Sequence, residues 1–316
     1  MKVAITGATG FIGKLLIKKH LDSGNEVRIL SRKENLEIED LDKIQVFKGD
    51  LNDRETLLSF VDNVDVLYHC AAEIKDESLM SVTNVEGTKN LIDVSKHKIK
   101  HWIQLSSTGV YGPVRTGTIK EDQVYNPINE YERTKLISDE LVLEAGKKEF
   151  FAYTLVRPSN VFGYQMSNQS IFQLVKSIEK GLYFFVGSKG SSANYVPVEN
   201  VIEVLYLTAI NPASKNQIYI ISSWTTIENF IDTIAKALNK KTPKLRIPIG
   251  LVKFLARLTS FIPKNPLTVA RVDALSNRAI YDTGKVEKEL NYKPVATVEE
   301  TIEKLVRFVK NNKKHL

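Results

Sequence analysis

Cysteine is almost missing from this chain: Cys70 is the only one in 316 residues. A single cysteine excludes an intramolecular disulfide, so a reducing, cytoplasmic setting is expected. Cys70 follows an apolar, strand-like run and reads as a small core residue rather than a nucleophile. No apolar run is long enough to span a bilayer, and the apolar start reads as a strand rather than a secretory leader. Internal repeats and low-complexity linkers are also lacking. Acid is in slight deficit, with 37 Asp and Glu against 44 Lys and Arg, a net charge of +7. Part of that excess is Lys310, Lys313 and Lys314, read as a solvated tail, so no nucleic-acid partner is expected. A diffuse positive field would still assist capture of anionic ligands. The most lipophilic helical stretch, 248–263, carries Lys253 and Arg257 at helical spacing and is expected to pack in the core rather than on a membrane. No metal site is expected.

What the chain does have is Gly7-Ala8-Thr9-Gly10-Phe11-Ile12-Gly13, after the apolar run Val3-Ala4-Ile5 and before an amphipathic stretch. Gly7 permits a backbone conformation closed to other residues. Gly10 lets the backbone approach a pyrophosphate, and Gly13 lets helix pack close to strand. The helix N-terminus then favours a phosphate. A dinucleotide is the ligand this arrangement implies.

Apolar, strand-like runs recur at 2–6, 26–31, 44–48, 64–69, 101–105 and 152–157, separated by helix-like stretches at 11–23, 53–61, 81–97 and 128–148. Continuous apolar strands alternating with helices argue for an α/β fold, a doubly wound parallel (Rossmann) sheet covered on both faces. Residues 1–165 are expected to form this dinucleotide-binding domain. Residues 166–316 are expected to form a smaller, mainly helical substrate lobe, with a strand near 217–221 returning to the large sheet.

The second strand ends Ser31-Arg32-Lys33. A carboxylate would mark NAD there, whereas Arg32 suits a 2′-phosphate, so NADP is expected, with NAD the alternative. Asp50-Leu51 ends the third strand and can meet adenine. Ala71 and Ala72, after the fourth, leave room for cofactor backbone contacts. Tyr131 and Lys135 stand one helical turn apart on one face. A lysine cation beside a phenol, with a positive nicotinamide nearby, favours phenolate, so Tyr131 can exchange a proton with a carbinol oxygen. Lys135 can hold the nicotinamide ribose. Ser107, in Ser106-Ser107-Thr108-Gly109, follows the fifth strand and can stabilise charge on the reacting oxygen.

Together with Asn84-Val85-Glu86-Gly87-Thr88 and Arg157-Pro158-Ser159-Asn160-Val161-Phe162-Gly163, these motifs resemble the extended short-chain dehydrogenase/reductase family of nucleotide-sugar epimerases, dehydratases and ketoreductases. Looser similarity runs through Tyr195–Val201, Tyr281–Lys285 and Leu290–Pro294. The resemblance implies a catalytic set of Ser107, Tyr131 and Lys135, and cofactor contacts from Asp50, Arg32, Asn84 and Pro158, with Asn84, on the central helix, also tying the active site together. For substrate it implies Asn160 and Asn168, joined by Ser107 and Thr108. It also implies a homodimer through the helices near 81–97 and 128–148.

Two departures bear on the reaction. Dehydratases of the family follow the active-site hydroxyl with Asp-Glu, but here the pair is Thr108-Gly109, so dehydration is not expected. Sugar-nucleotide members carry an arginine before the Tyr-Val motif, but here Lys189 is the only cation, with Arg271 or Arg278 left to meet a diphosphate. The expected activity is NADPH-dependent reduction of a nucleotide-linked 4-keto sugar. The alternatives are a 4-epimerase, a steroid-like or flavonoid-like carbonyl reductase, and a non-catalytic dinucleotide sensor.

Overall fold

The computed structural model of the protein describes residues 1–166, 169–259, 272 and 275–312. The first half runs β1 (Lys2–Thr6), α1 (Phe11–Asp22), β2 (Glu26–Ser31), β3 (Ile44–Lys48), α2 (Arg54–Phe60), β4 (Val66–His69), α3 (Glu77–Met80), α4 (Gly87–Ser95) and β5 (His101–Leu105). Then come β6 (Thr118–Ile119), α5 (Glu130–Lys147), β7 (Ala152–Pro158), β8 (Asn160–Phe162), α6 (Ser170–Glu179), β9 (Phe185–Val186), β10 (Ser192–Pro197) and α7 (Val198–Ile210). The remainder is β11 (Gln217–Ile221), β12 (Ser223–Thr226), α8 (Ile227–Ala237), β13 (Arg246–Ile247), α9 (Ile249–Leu258), β14 (Ile280–Tyr281) and two helices, Gly284–Leu290 and Val298–Asn311.

Seven strands form one sheet in the order β11-β7-β5-β4-β1-β2-β3, every neighbouring pair parallel. The strand order turns back between β1 and β4, which opens a crevice at their C-terminal ends. Alternate residues of each strand feed opposite layers. Val3 and Ile5 pack with Leu16, Val201 and Leu205 on one face. Ala4 packs with Leu67, Leu91 and Trp102 on the other. Both faces are therefore dry, which is why these strands read as continuous apolar runs. β11, from the second half of the chain, closes the sheet edge beside β7.

The second half holds more strand than the sequence suggests. β8, β10 and β12 form a three-stranded sheet, β9 pairs with β13, and β6 pairs with β14. Ser192-Ala193-Asn194-Tyr195 carries no apolar run, and a two-residue strand has no period to read. Here Phe162, Phe172, Phe230, Ile302 and Leu305 build a separate core. In α9 only Val252 and Ala256 are buried; Leu251, Phe254, Leu255 and Leu258 are exposed. The expected core-packing helix thus buries only one stripe, and the end of that stretch lies outside the described residues.

Three histidines are held neutral by burial. His69 is pushed down to about 3, by burial and then by the Lys135 charge. His20 and His101 are pushed down to about 4, chiefly by burial. Their ring nitrogens bond Thr6, Thr88, Tyr68 and Thr154 hydroxyls. Because the folded values lie below the ordinary 6.5, the unfolded chain binds protons that the native state refuses. Stability is full above pH about 6.5 and falls as pH drops towards 4, by ~1.4 kcal/mol per pH unit for each histidine. Thermal unfolding midpoints measured from pH 8 to 4 should be level above 7 and fall steeply below 6. A level profile across that range would contradict the neutral assignment.

Candidate active site

The glycine turn leaves β1 at the sheet's crevice. Gly7 adopts φ +67°, and a Cβ there would lie 2.6 Å from the Ala71 backbone nitrogen. A Cβ on Gly13 would lie 2.3 Å from the Gly7 carbonyl oxygen, so α1 needs glycine in its first turn to sit this close to the glycine turn. Gly10 is the helix N-cap and offers no side chain, leaving the first-turn N–H groups of α1 open to the crevice.

Two chambers meet over this turn, and Gly7, Gly10, Cys70 and Ala72 line both. The first, about 300 Å³, is bounded by Thr9, Ser31, Arg32, Asp50, Leu51 and Ala71. Ser31 is buried and its hydroxyl accepts from the Lys33 N–H at 3.1 Å, while Arg32 is exposed. The carboxylate of Glu34 is drawn away by Lys48. The second chamber, about 500 Å³, is bounded by Phe11, Ile12, Ser107, Tyr131, Lys135 and Pro158. A cradle without side chains between two chambers, one cationic and one carrying the tyrosine and lysine, fits a dinucleotide with its pyrophosphate on α1.

The serine, tyrosine and lysine converge from separate elements. Ser107 caps the short 3-10 turn Thr108–Tyr111 just past β5, its hydroxyl accepting from the Gly109 N–H at 3.0 Å. Tyr131 sits in the first turn of α5, whose N-cap Asn129 accepts from the Glu132 N–H at 2.9 Å. Lys135 is buried one turn on, and its ammonium donates to the Leu105 carbonyl at 2.7 Å. Burial raises the Tyr131 phenol above its ordinary value, against a Ser107 hydrogen bond that lowers it. In the chain without its cofactor, burial is the larger influence on the phenol. Burial likewise lowers Lys135, with Asp139 acting against it. Burial raises the Cys70 thiol to about 12, far from a nucleophile at neutral pH.

A buried ionic hub fixes this geometry. Asp139, one turn beyond Lys135, accepts from the Ser106 hydroxyl at 2.7 Å and from Arg157 Nε and Nη2 at 3.2 and 3.0 Å. Arg157 also donates to the Tyr111 hydroxyl at 2.8 Å and the Tyr125 hydroxyl at 3.2 Å. Neither Asp139 nor Arg157 is exposed at all. The hub therefore ties α5 to the residue before Ser107 and the residue before Pro158.

The NAD dependent epimerase/dehydratase family model matches residues 3–222. The chain belongs to this family. It is 26% identical to the mouse (Mus musculus) sterol-4-alpha-carboxylate 3-dehydrogenase, decarboxylating, over 97% of this chain and 90% of that protein. It is 26% identical to the N-acetyl-alpha-D-glucosaminyl-diphospho-ditrans,octacis-undecaprenol 4-epimerase of Escherichia coli O157:H7, over 79% of this chain and 76% of that one. The fold is shared with UDP-glucuronic acid 4-epimerase from Bacillus cereus, solved in complex with NAD, with a TM-score of 0.76 at 21% identity over 99% and 100% of the two chains.

For this epimerase/dehydratase family member, then, the cofactor is NAD(P) and the chain is an enzyme of the extended short-chain dehydrogenase/reductase type. A third chamber, about 470 Å³, adjoins Tyr131 on the side away from α1. Ser107, Thr108 and Asn160 line it, as the sequence suggests; so does Tyr281, which the sequence offers only as part of a C-terminal helix motif, and so do Glu132 and Asn194, to which it assigns no role. Thr108 and Tyr281 hydrogen-bond through their side chains. The Asn160 amide donates to the Asn194 carbonyl at 3.1 Å.

Asn84 lines none of these chambers. It lies buried in a π-helical turn, Ser81–Glu86, between α3 and α4. Its side chain accepts from the Glu73 N–H at 2.7 Å and donates to the Thr134 hydroxyl at 3.0 Å, and its carbonyl accepts from Thr88 and Ser138. The wide turn leaves that carbonyl available. Asn84 therefore anchors the loop after Ala72, and Thr83 faces the first chamber in its place. Lys189 lies in an exposed turn, its carbonyl accepting from Arg278 at 2.7 Å, and it lines none of the three chambers. Asn168 and Arg271 lie outside the described residues, as do Lys313 and Lys314.

Among the described residues there is no group of three or more metal-ligating side chains, and no helix long and apolar enough to cross a membrane.

Proposed function

We propose that the protein reduces a 4-keto group on a nucleotide-linked sugar with NADPH. The observation that carries this reading is the cation pair Arg32 and Lys33 bordering the first chamber, with Glu34 turned onto Lys48. A 2′-phosphate gains charge-assisted bonds there. When bound, the nicotinamide supplies the hydride. The chain's own residues do the rest. Ser107 and Tyr131 hold the carbonyl oxygen, and the Tyr131 phenol gives its proton to the forming alkoxide. Lys135 holds a positive charge below the tyrosine. Hydroxyl and amide groups of Thr108, Asn160, Asn194 and Tyr281 border the third chamber, and they suit a polyhydroxylated ring.

The test is incubation with NADPH and a panel of UDP-linked 4-keto sugars and UDP-sugars. Stoichiometric loss of NADPH with a keto sugar supports the reading. Isomerisation of a UDP-sugar without added cofactor would replace it with a 4-epimerase. For the cofactor, Arg32→Ala should weaken NADPH binding by about 10–100-fold, the worth of a charged hydrogen-bonded pair, and leave NADH binding nearly as it was. An unchanged preference would refute the phosphate contact.

A second reading has one observation in its favour. No lysine or arginine borders the third chamber among the described residues, so an uncharged alcohol or ketone also fits. A 3-hydroxysterol with NADP or NAD is the assay for it.

A further inference from the structure

The sequence places no acid at Thr108-Gly109, but the fold puts one there. A Cβ built on Gly109 would lie 2.9 Å from Cγ of Glu132 and 3.5 Å from its Cδ. The side chain of Glu132 thus fills the volume that a side chain at 109 would occupy, and it lines the third chamber beside Tyr131. One carboxylate oxygen, Oε2, accepts from the Ile128 N–H at 2.8 Å, which fixes the rotamer. The other, Oε1, has no hydrogen-bond partner among the described residues. A capping role for a glutamate at the third position of a helix is ordinary. Capping alone does not account for a carboxylate lining the substrate chamber next to the residue that holds the carbonyl oxygen.

We propose that Glu132 is a second catalytic group, a general base that removes and returns the proton on the carbon adjacent to the substrate carbonyl. The proposal rests on the reading of the substrate as a ketone bound to Ser107 and Tyr131. The carboxylate takes the α-proton, and the C–H electron pair becomes the C–C double bond of an enolate. The enolate oxygen accepts hydrogen bonds from the Ser107 and Tyr131 hydroxyls, which makes the step accessible. Glutamic acid then returns a proton to the same carbon, after exchange with solvent. Nothing is oxidised or reduced, and no co-reactant is needed. Because the proton leaves and returns on one face, the configuration at the carbon is retained.

The experiment uses the full chain with NADP, a UDP-linked 4-keto-6-deoxyhexose and D2O, followed by mass spectrometry and proton NMR. Wild-type protein should incorporate deuterium next to the carbonyl well above the protein-free blank. Glu132→Gln keeps an acceptor for the Ile128 N–H but cannot take a proton, so incorporation should fall by about 10²-fold or more. Dinucleotide binding and the melting temperature show whether that variant is folded. If it is not, Glu132→Asp, which keeps a base but draws it back, should exchange slowly. Wild-type incorporation no faster than the blank would overturn the proposal, as would full incorporation by a folded Glu132→Gln. NADPH consumption measured in parallel separates the two readings: reduction without exchange removes Glu132's role alone, and exchange without reduction removes the reductase reading alone.

Discussion

Tyr131→Phe is expected to lower kcat by about 10²–10⁴-fold, with NADPH binding nearly unchanged. Among the described residues, the phenol is the one group at the meeting of the second and third chambers that both hydrogen-bonds Ser107 and carries a transferable proton. Phenylalanine keeps the ring and its packing in the first turn of α5, so the cofactor chamber keeps its shape. The loss should be in kcat and kcat/KM together, because the proton moves only in the transition state. Turnover close to wild type would remove Tyr131 from the chemistry. Titration with NADPH by fluorescence, on the same preparation, shows that the variant is intact.

The second large effect is on stability. Asp139→Ala should cost about 3–5 kcal/mol, the usual loss when one partner of a buried ion pair is removed. Arg157 would be left charged with no exposed surface. It has no means of shedding its proton, since a guanidinium stays protonated inside a protein. Urea unfolding reads the change as a fall in midpoint. The double variant Asp139→Asn, Arg157→Met should recover much of the loss, because no lone charge remains. A cost of under ~1 kcal/mol for Asp139→Ala, the level of an exposed pair, would mean that water reaches the hub.

Much of this was legible in the residues. Strands with both faces dry announce themselves as unbroken apolar runs, and Val3 to Thr6 and Val66 to His69 do so. The four-residue step from Tyr131 to Lys135 needs only the helical period. Ser31-Arg32-Lys33 follows a strand end, so its position at the first chamber follows from topology. What was not legible depends on side chains that meet across the chain. Glu132 reaches Gly109 from 23 positions away, and neither residue signals the other. Asn84 carries a motif, but only the wide π turn shows that it anchors a loop instead of lining the cofactor chamber. The short strands β9, β12, β13 and β14 are built of strand-favouring residues but are too brief to show a period, so their partners decide them. The burial of Tyr131, which raises its phenol, likewise depends on the fold and is displayed by no sequence.

The Phe11 ring packs against both the core beneath the large sheet and the core of the smaller half. It also borders the second chamber, and a Cβ on Gly163 would come within 3.0 Å of it. This bears on modularity. The second half of the chain is not a cassette that can be grafted from one relative to another to transplant a substrate preference. A chimera that keeps the glycine turn inherits this ring with it. The incoming half must already present a hollow of matching shape at Gly163, or the seam opens where the two cores meet.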